Sequence, residues 1–319
     1  MRLSLTPPAS GSRPFDVVGF GQNSVDLLAV IGEYPAPDSH VRAERLIRMP
    51  GGEVATAVVA CARLGCRTRY IGAIGRDDAG AVVEARMREE GVDLSYVLRV
   101  DAPNRFAFIL VDRAGHRTVI WHRDRAIEEL AGVIDRRAAA SGRVLLVDAC
   151  DPDGSTAAAC AARAAGCPVV LDVDAFEPRL EGLLRAANVV IASASFFEGY
   201  SAGLGIGGGV RRLAGEFGSA LAVATLGPEG SLAICGGEEI RTPAFTVPVV
   251  DTTGAGDAFR GGFVASWLRF GPDASVATLL EYASAVAGLN CRSLGAQTAL
   301  PVWADVDGLV TRQRSARSK

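Results

Sequence analysis

Residues 244–268 read AFTVPVVDTTGAGDAFRGGFVASWL, and the fold class turns on how this stretch is parsed. Residues 244–250 read as a strand, 251–257 as a Gly-rich turn and 258–268 as a helix. Strand, turn and helix in that order leave free backbone N–H groups at the helix start, pointing at an anion. Gly254 and Gly256 allow close approach and unusual dihedrals, and the helix dipole adds positive potential. A carboxylate in such a turn, Asp257, is odd if the turn only binds phosphate. It makes sense as a general base facing a nucleophilic hydroxyl; the plain alternative is a residue that favours the helix dipole.

Outward from this stretch, two textures alternate. Residues 16–20, 69–74, 144–148, 169–173, 189–191 and 221–225 are short runs rich in apolar and β-branched residues. Between them, 54–64, 80–90, 155–165 and 209–217 carry small and apolar residues at helical spacing. This spacing predicts an α/β domain with a mostly parallel sheet, because parallel strands need crossover helices. Residues 39–49 and 105–123 break the pattern with period-2 alternation, the second around a turn at 112–115. They predict a small sheet standing off the main domain, either a lid over a site or an ordinary antiparallel extension. The Gly-rich stretch 203–209 reads as a flexible turn.

The bulk properties bound the partners. The chain has 319 residues, 49% hydrophobic, with a formal net charge of −3. That suffices for a large core and gives no reason to expect a nucleic-acid or membrane partner. Seven Cys at irregular positions, with no Cys-x-x-Cys pair, read as reduced thiols in a cytoplasmic protein. Residues 1–14 and 313–319 read as flexible tails around a single domain at 15–310. The run Gly19-Phe20-Gly21-Gln22-Asn23-Ser24 imitates a dinucleotide fingerprint, but the third Gly is missing.

The string DTTGAGDAFRGGF resembles the C-terminal motif of the ribokinase-like, or PfkB, carbohydrate kinases. GGEVATAVVACARLG followed by YIGAIGRDDAG, within 51–80, resembles that family's N-terminal motif, and residues 225–230 resemble its nucleotide loop. The resemblance implies a three-layer α/β/α domain with a mostly parallel central sheet plus a small β-sheet lid. It also implies ATP-dependent phosphorylation of a sugar-like hydroxyl and a homodimer formed through the lid, whose apolar face would be Phe106, Phe108 and Leu110. By resemblance Asp257 is the base, and the amides of Gly254, Ala255 and Gly256 form an anion hole. Thr225, Gly227 and Gly230 line the nucleotide, with 283–290 walling the base. Asp26 holds sugar hydroxyls, and Gly51 and Gly52 let the substrate approach the backbone. Asp251 and Thr253 match a monovalent-cation site (K⁺) of some members, although Ala299 stands where those often have Ser. Mg²⁺ is expected with ATP.

Two departures bear on ligand choice. Thr56 stands where the family usually has Asn, which points to a different ligand. Ser193 and Phe196 replace the family's Asn-x-x-Glu, with Glu198 two residues further on. From position alone, Arg105 at the start of the second lid segment reaches toward a polar substituent, His40 toward substrate, and His116 and His122 toward solvent. Asp172 and Asp174 end a strand, where they either assist Mg²⁺ or nucleotide or cap a turn. A nucleoside kinase and a non-catalytic sugar-binding regulator on the same scaffold are the competing readings.

Overall fold

The alternation resolves into two sheets in the computed structural model, which describes residues 1–113, 116–128 and 134–317. In chain order the strands are β1 (Phe15–Phe20), β2 (Ser24–Ile31), β3 (Ala43–Gly51), β4 (Thr68–Gly75), β5 (Asp93–Val100), β6 (Phe106–Val111), β7 (Arg117–His122), β8 (Gly142–Asp148), β9 (Val169–Val173), β10 (Val189–Ser193), β11 (Leu221–Thr225), β12 (Ser231–Cys235) and β13 (Glu238–Thr242). Nine of them form the main sheet, ordered β13-β12-β11-β10-β9-β8-β1-β4-β5. Neighbours from β11 to β5 are parallel, and only the β11-β12-β13 edge is antiparallel.

Helices cover both faces of this sheet, because its strands are apolar on both sides. On β1, Val17 packs with Phe259, Phe263 and Trp267, whereas Val18 packs with Ala158, Ala159 and Ala162. One layer therefore holds the helices Glu53–Arg63, Ala255–Phe270 and Val276–Asn290, and the other holds Pro152–Ala164 and Gly205–Phe217. This is the three-layer arrangement expected from the sequence. No helix among the described residues is long and apolar enough to cross a membrane.

The small sheet has the order β3-β2-β6-β7. Sequence alternation finds β3, β6 and β7 but misses β2, whose buried residues fall on both faces and so hide the period of two. Leu28, Ile109 and Val111 bury one face of this sheet. Residues 114–115 of the expected hairpin turn lie outside the described residues.

Other expectations are corrected. Residues 244–250 form an extended connection without ladder partners: Pro248 lacks a donor, and Val249 and Val250 are exposed. The strand before the Gly-rich turn is β13 instead. The Gly-rich stretch is mostly helical, since Gly205–Phe217 begins inside it. The presumed N-terminal tail is packed: Leu3 joins the Trp267 cluster, and Val276 N–H donates to Met1 O at 2.9 Å. At the other end, Gln313 lies within the helix Trp303–Arg317, and its Nε2 donates to Thr246 O at 2.9 Å.

Candidate active site

The Gly-rich turn is held from below by its own acid. Asp251 Oδ1 accepts from Thr253 N and Oγ1 at 2.9 and 2.7 Å, and Oδ2 accepts from Gly295 N at 2.8 Å. Gly254 then adopts φ 72°, and a Cβ there would lie 2.6 Å from Ala296 Cβ. No L-residue fits that corner without strain. The helix starts at Ala255, whose N–H donates to Thr252 O at 3.2 Å. The first-turn amides after it have no acceptor within the helix and are available to an anion.

Asp257 occupies the third helical position with its side chain 14% exposed. Burial pushes its carboxyl up to about 7; Arg260 pulls it down, and Asp174, Asp26 and Asp148 push it further up. One turn later Arg260, with its side chain 2% exposed, pairs with Asp172 at 2.6 Å, Asp174 at 3.0 Å and Asp257 at 3.7 Å. Its Nε and Nη2 also donate to Ile191 O at 3.4 and 3.3 Å. Asp172 and Asp174 thus face a guanidinium. The sequence reading passed over Arg260, although an Arg between Phe259 and Gly261 in a buried helix demands buried acids.

Opposite Asp257 lie the first residues of the small sheet. Asp26 on β2 is buried, and its Oδ1 accepts from Ser24 Oγ at 3.0 Å. Its carboxyl is pushed up to about 6, first by burial; the Ser24 bond lowers it and Asp251 raises it. A Cβ on Gly51 would come 2.4 Å from Asp26 Oδ2, so only Gly lets these two meet. Gly52 (φ 96°) opens the helix Glu53–Arg63 against the backbone of Asn23. Arg105 immediately precedes β6 and is buried; its Nη2 donates to Ile127 O at 2.6 Å, while Nε and Nη1 have no partner among the described residues.

Three further groups were missed by sequence reading. Ligand atoms of Glu53, Asp148 and Cys150 lie within 4.8 Å of one another. Asp148 accepts from the N–H groups of Gln22 and Cys150 at 2.7 and 3.0 Å. Glu53 is pushed well up by burial, then by Asp148, Asp174 and Asp257. Their positions at the ends of a helix and a parallel strand were the available signal.

Other sequence candidates are placed differently. Thr56 is wholly buried and its Oγ1 accepts from Gln297 Nε2 at 3.1 Å, so it stands behind the cleft. Thr225 ends β11, and Gly227 to Gly230 close a tight turn in which Leu226 N–H donates to Gly230 O at 2.8 Å. Of the expected wall at 283–290, only Ala287 and Gly288 are partly exposed. His40, His116 and His122 are exposed, and His116 Nδ1 sits 2.9 Å from Asp112. The apparent dinucleotide fingerprint leads from β1 into strand β2, where a helix would be needed.

The stretch 193–198 offers no built donor set for Mg²⁺. Phe196 is fully buried among Phe176, Phe197 and Tyr200, Ser193 Oγ donates to Asp174 O at 3.1 Å, and Glu198 is exposed.

Comparison with known proteins fits this geometry. The family model for pfkB family carbohydrate kinases matches residues 15–303. A nucleoside kinase of Methanothermobacter thermautotrophicus is 27% identical over 301 residues, covering 90% of this chain and 92% of the relative. A fructokinase of Klebsiella pneumoniae is 32% identical over 283 residues, covering 82% and 92%. The ribokinase of Arabidopsis thaliana, solved with ribose and ATP, has the same fold, with a TM-score of 0.80 at 24% identity over 93% of this chain and 98% of that one.

Proposed function

The chain belongs to the pfkB family of carbohydrate kinases, and from that premise we propose that it moves the γ-phosphoryl group of ATP onto a hydroxyl of a sugar-like small molecule, with Asp257 as the base. The observation that carries the assignment is a single turn in which open helix-start amides and a carboxylate stand side by side. The substrate hydroxyl gives its proton to Asp257 as its oxygen bonds to the γ-phosphorus. The bond from that phosphorus to the bridging oxygen breaks, and ADP leaves with the electron pair. The amides of Gly254, Ala255 and Gly256 face the phosphoryl oxygens; Ala255 already donates to Thr252, so the two glycines carry the larger share.

On the acceptor side, Asp26 takes two hydroxyls, as a carboxylate can. The substrate lies against the backbone of Gly51 and Gly52, and Arg105 reaches a polar substituent. Thr56 acts from behind through Gln297. Thr225, Gly227 and Gly230 frame the nucleotide, and Mg²⁺ arrives on the ATP phosphates. A coupled assay of ADP release over hexoses, pentoses, ketoses, sugar acids and nucleosides tests the assignment. Turnover with one of them supports it. ATP binding with no turnover across the set would favour a non-catalytic regulator. Relatives named for fructose and for nucleosides make both classes part of the set.

Two finer parts of this reading have their own measurements. A monovalent cation at Asp251 and Thr253 has to compete with three donors already on that carboxylate; exchanging K⁺ for choline is therefore expected to change turnover less than about twofold, well inside the effect of losing one charge-assisted hydrogen bond. A dimer forms through the outer face of the small sheet, where Leu46 and Ile120 are 67% and 58% exposed near Phe106, Phe108 and Leu110. Light scattering is expected to give twice the chain mass, and Ile120→Glu the single mass; a wild-type monomer at tens of micromolar would refute this.

A further inference from the structure

We propose that Arg260 is a positioning residue for the phosphoryl transfer: its guanidinium ties Asp257 to the acids that end β9 and holds that carboxylate ready to take the hydroxyl proton. This rests on the assignment of Asp257 as base. The geometry is built for it. The guanidinium reaches Asp172 at 2.6 Å, Asp174 at 3.0 Å and Asp257 at 3.7 Å. It also donates to Ile191 O of β10, so it spans the helix start, β9 and β10. A Cβ on Gly256 would lie 2.4 Å from Arg260 Nη1. The second glycine of the turn therefore makes room for the cation beneath as well as for an anion above.

Charge gives this placement its consequence. Asp257 is faced by Arg260 on its own helix, Asp174 just after β9, Asp26 from β2 and Asp148 from β8. Glu53, on the helix Glu53–Arg63, and Asp172 on β9 also face its charge. Five carboxyl groups surround the base, and Arg260 is the cation among the named groups that opposes them. Without it, Asp257 would hold its proton to higher pH and lose its role in the neutral range.

A merely structural Arg260 would pin the helix to the sheet without setting the charge on Asp257, and pH profiles separate the two roles. With the substrate found in the ADP-release assay, Arg260→Met is expected to move the acid limb of kcat/KM up by about one to three pH units. Arg260→Lys should restore most of that shift. Asp174→Asn, at a half-exposed side chain, removes an opposing charge and should move the limb the other way, to lower pH. A folded Arg260→Met with an unmoved limb would overturn the proposal; if that variant does not fold, an unmoved limb in Asp174→Asn would do so.

Thermal unfolding supplies an arm that needs no turnover. Removing the cation raises the folded-state value of Asp257 further above its unfolded value, so stability should fall more steeply from pH 5 to 8. Adding Asp257→Asn should flatten that slope. Parallel curves for wild type and the Arg260 variants would mark a structural residue only. Should no compound be phosphorylated, the kinase chemistry fails while this arm still decides what Arg260 does to Asp257.

Discussion

Asp257→Asn is expected to lower kcat by about 10²–10⁴-fold, the range a positioned general base contributes, with ATP affinity unchanged. The amide keeps the shape and the hydrogen-bonding reach of the carboxylate but cannot accept the proton. Nucleotide contacts are assigned to the turn amides and to 225–230, which the substitution leaves alone. The wild-type profile adds a second signature. Burial and neighbouring acids push Asp257 up to about 7, and the protonated form cannot serve as base. The kcat/KM of the wild type should therefore decline below about pH 7, and that limb should be absent from the residual activity of the variant. A variant retaining more than a tenth of wild-type kcat would remove Asp257 from its role.

Asp26→Ala is expected to cost mainly in kcat/KM for the sugar, by about 10²-fold or more, since two hydroxyl bonds to a charged acceptor are lost at about 1.5–3 kcal/mol each. The KM for ATP should stay near wild type, because Asp26 sits on β2, away from the turn at 225–230. A side effect follows from electrostatics. Asp26 is one of the acids that push Asp257 upward, so its removal should carry the acid limb to lower pH. Isothermal titration with the sugar and a non-hydrolysable ATP analogue separates the two ligands. Unchanged sugar affinity would take Asp26 out of the acceptor site.

The parts of the molecule governed by local pattern were legible in the sequence. Six strands of the main sheet and the helices between them follow from apolar runs and helical spacing, because parallel strands and their crossovers each announce themselves. The Gly-rich turn leading into the helix at Ala255 was legible because turn chemistry is local. What stayed hidden depends on meetings across the chain. β2 is covered on both faces and so lacks alternation. Residues 244–250 look like a strand by composition, yet Pro248 and the absence of a neighbour keep them out of the ladder. Leu3 reads as tail until the fold supplies a gap beside Val276. The partners of Arg260 were hidden for the same reason, as Asp172 and Asp174 lie upstream at separations of 88 and 86 positions. Thr56 was read as facing substrate from its place in a motif, and only packing reveals that Gln297 claims its hydroxyl.

The small sheet contributes a division of labour. Asp26 stands on β2, Gly51 ends β3 and Arg105 immediately precedes β6, so the proposed acceptor-side groups enter through one accessory structure. The proposed base and amides belong to the Ala255–Phe270 helix and its turn. Changes of diet can then be written into one module while the phosphate chemistry is inherited intact. A lineage could explore new alcohols by remodelling a few strand ends, with little risk to the step that makes any of them useful.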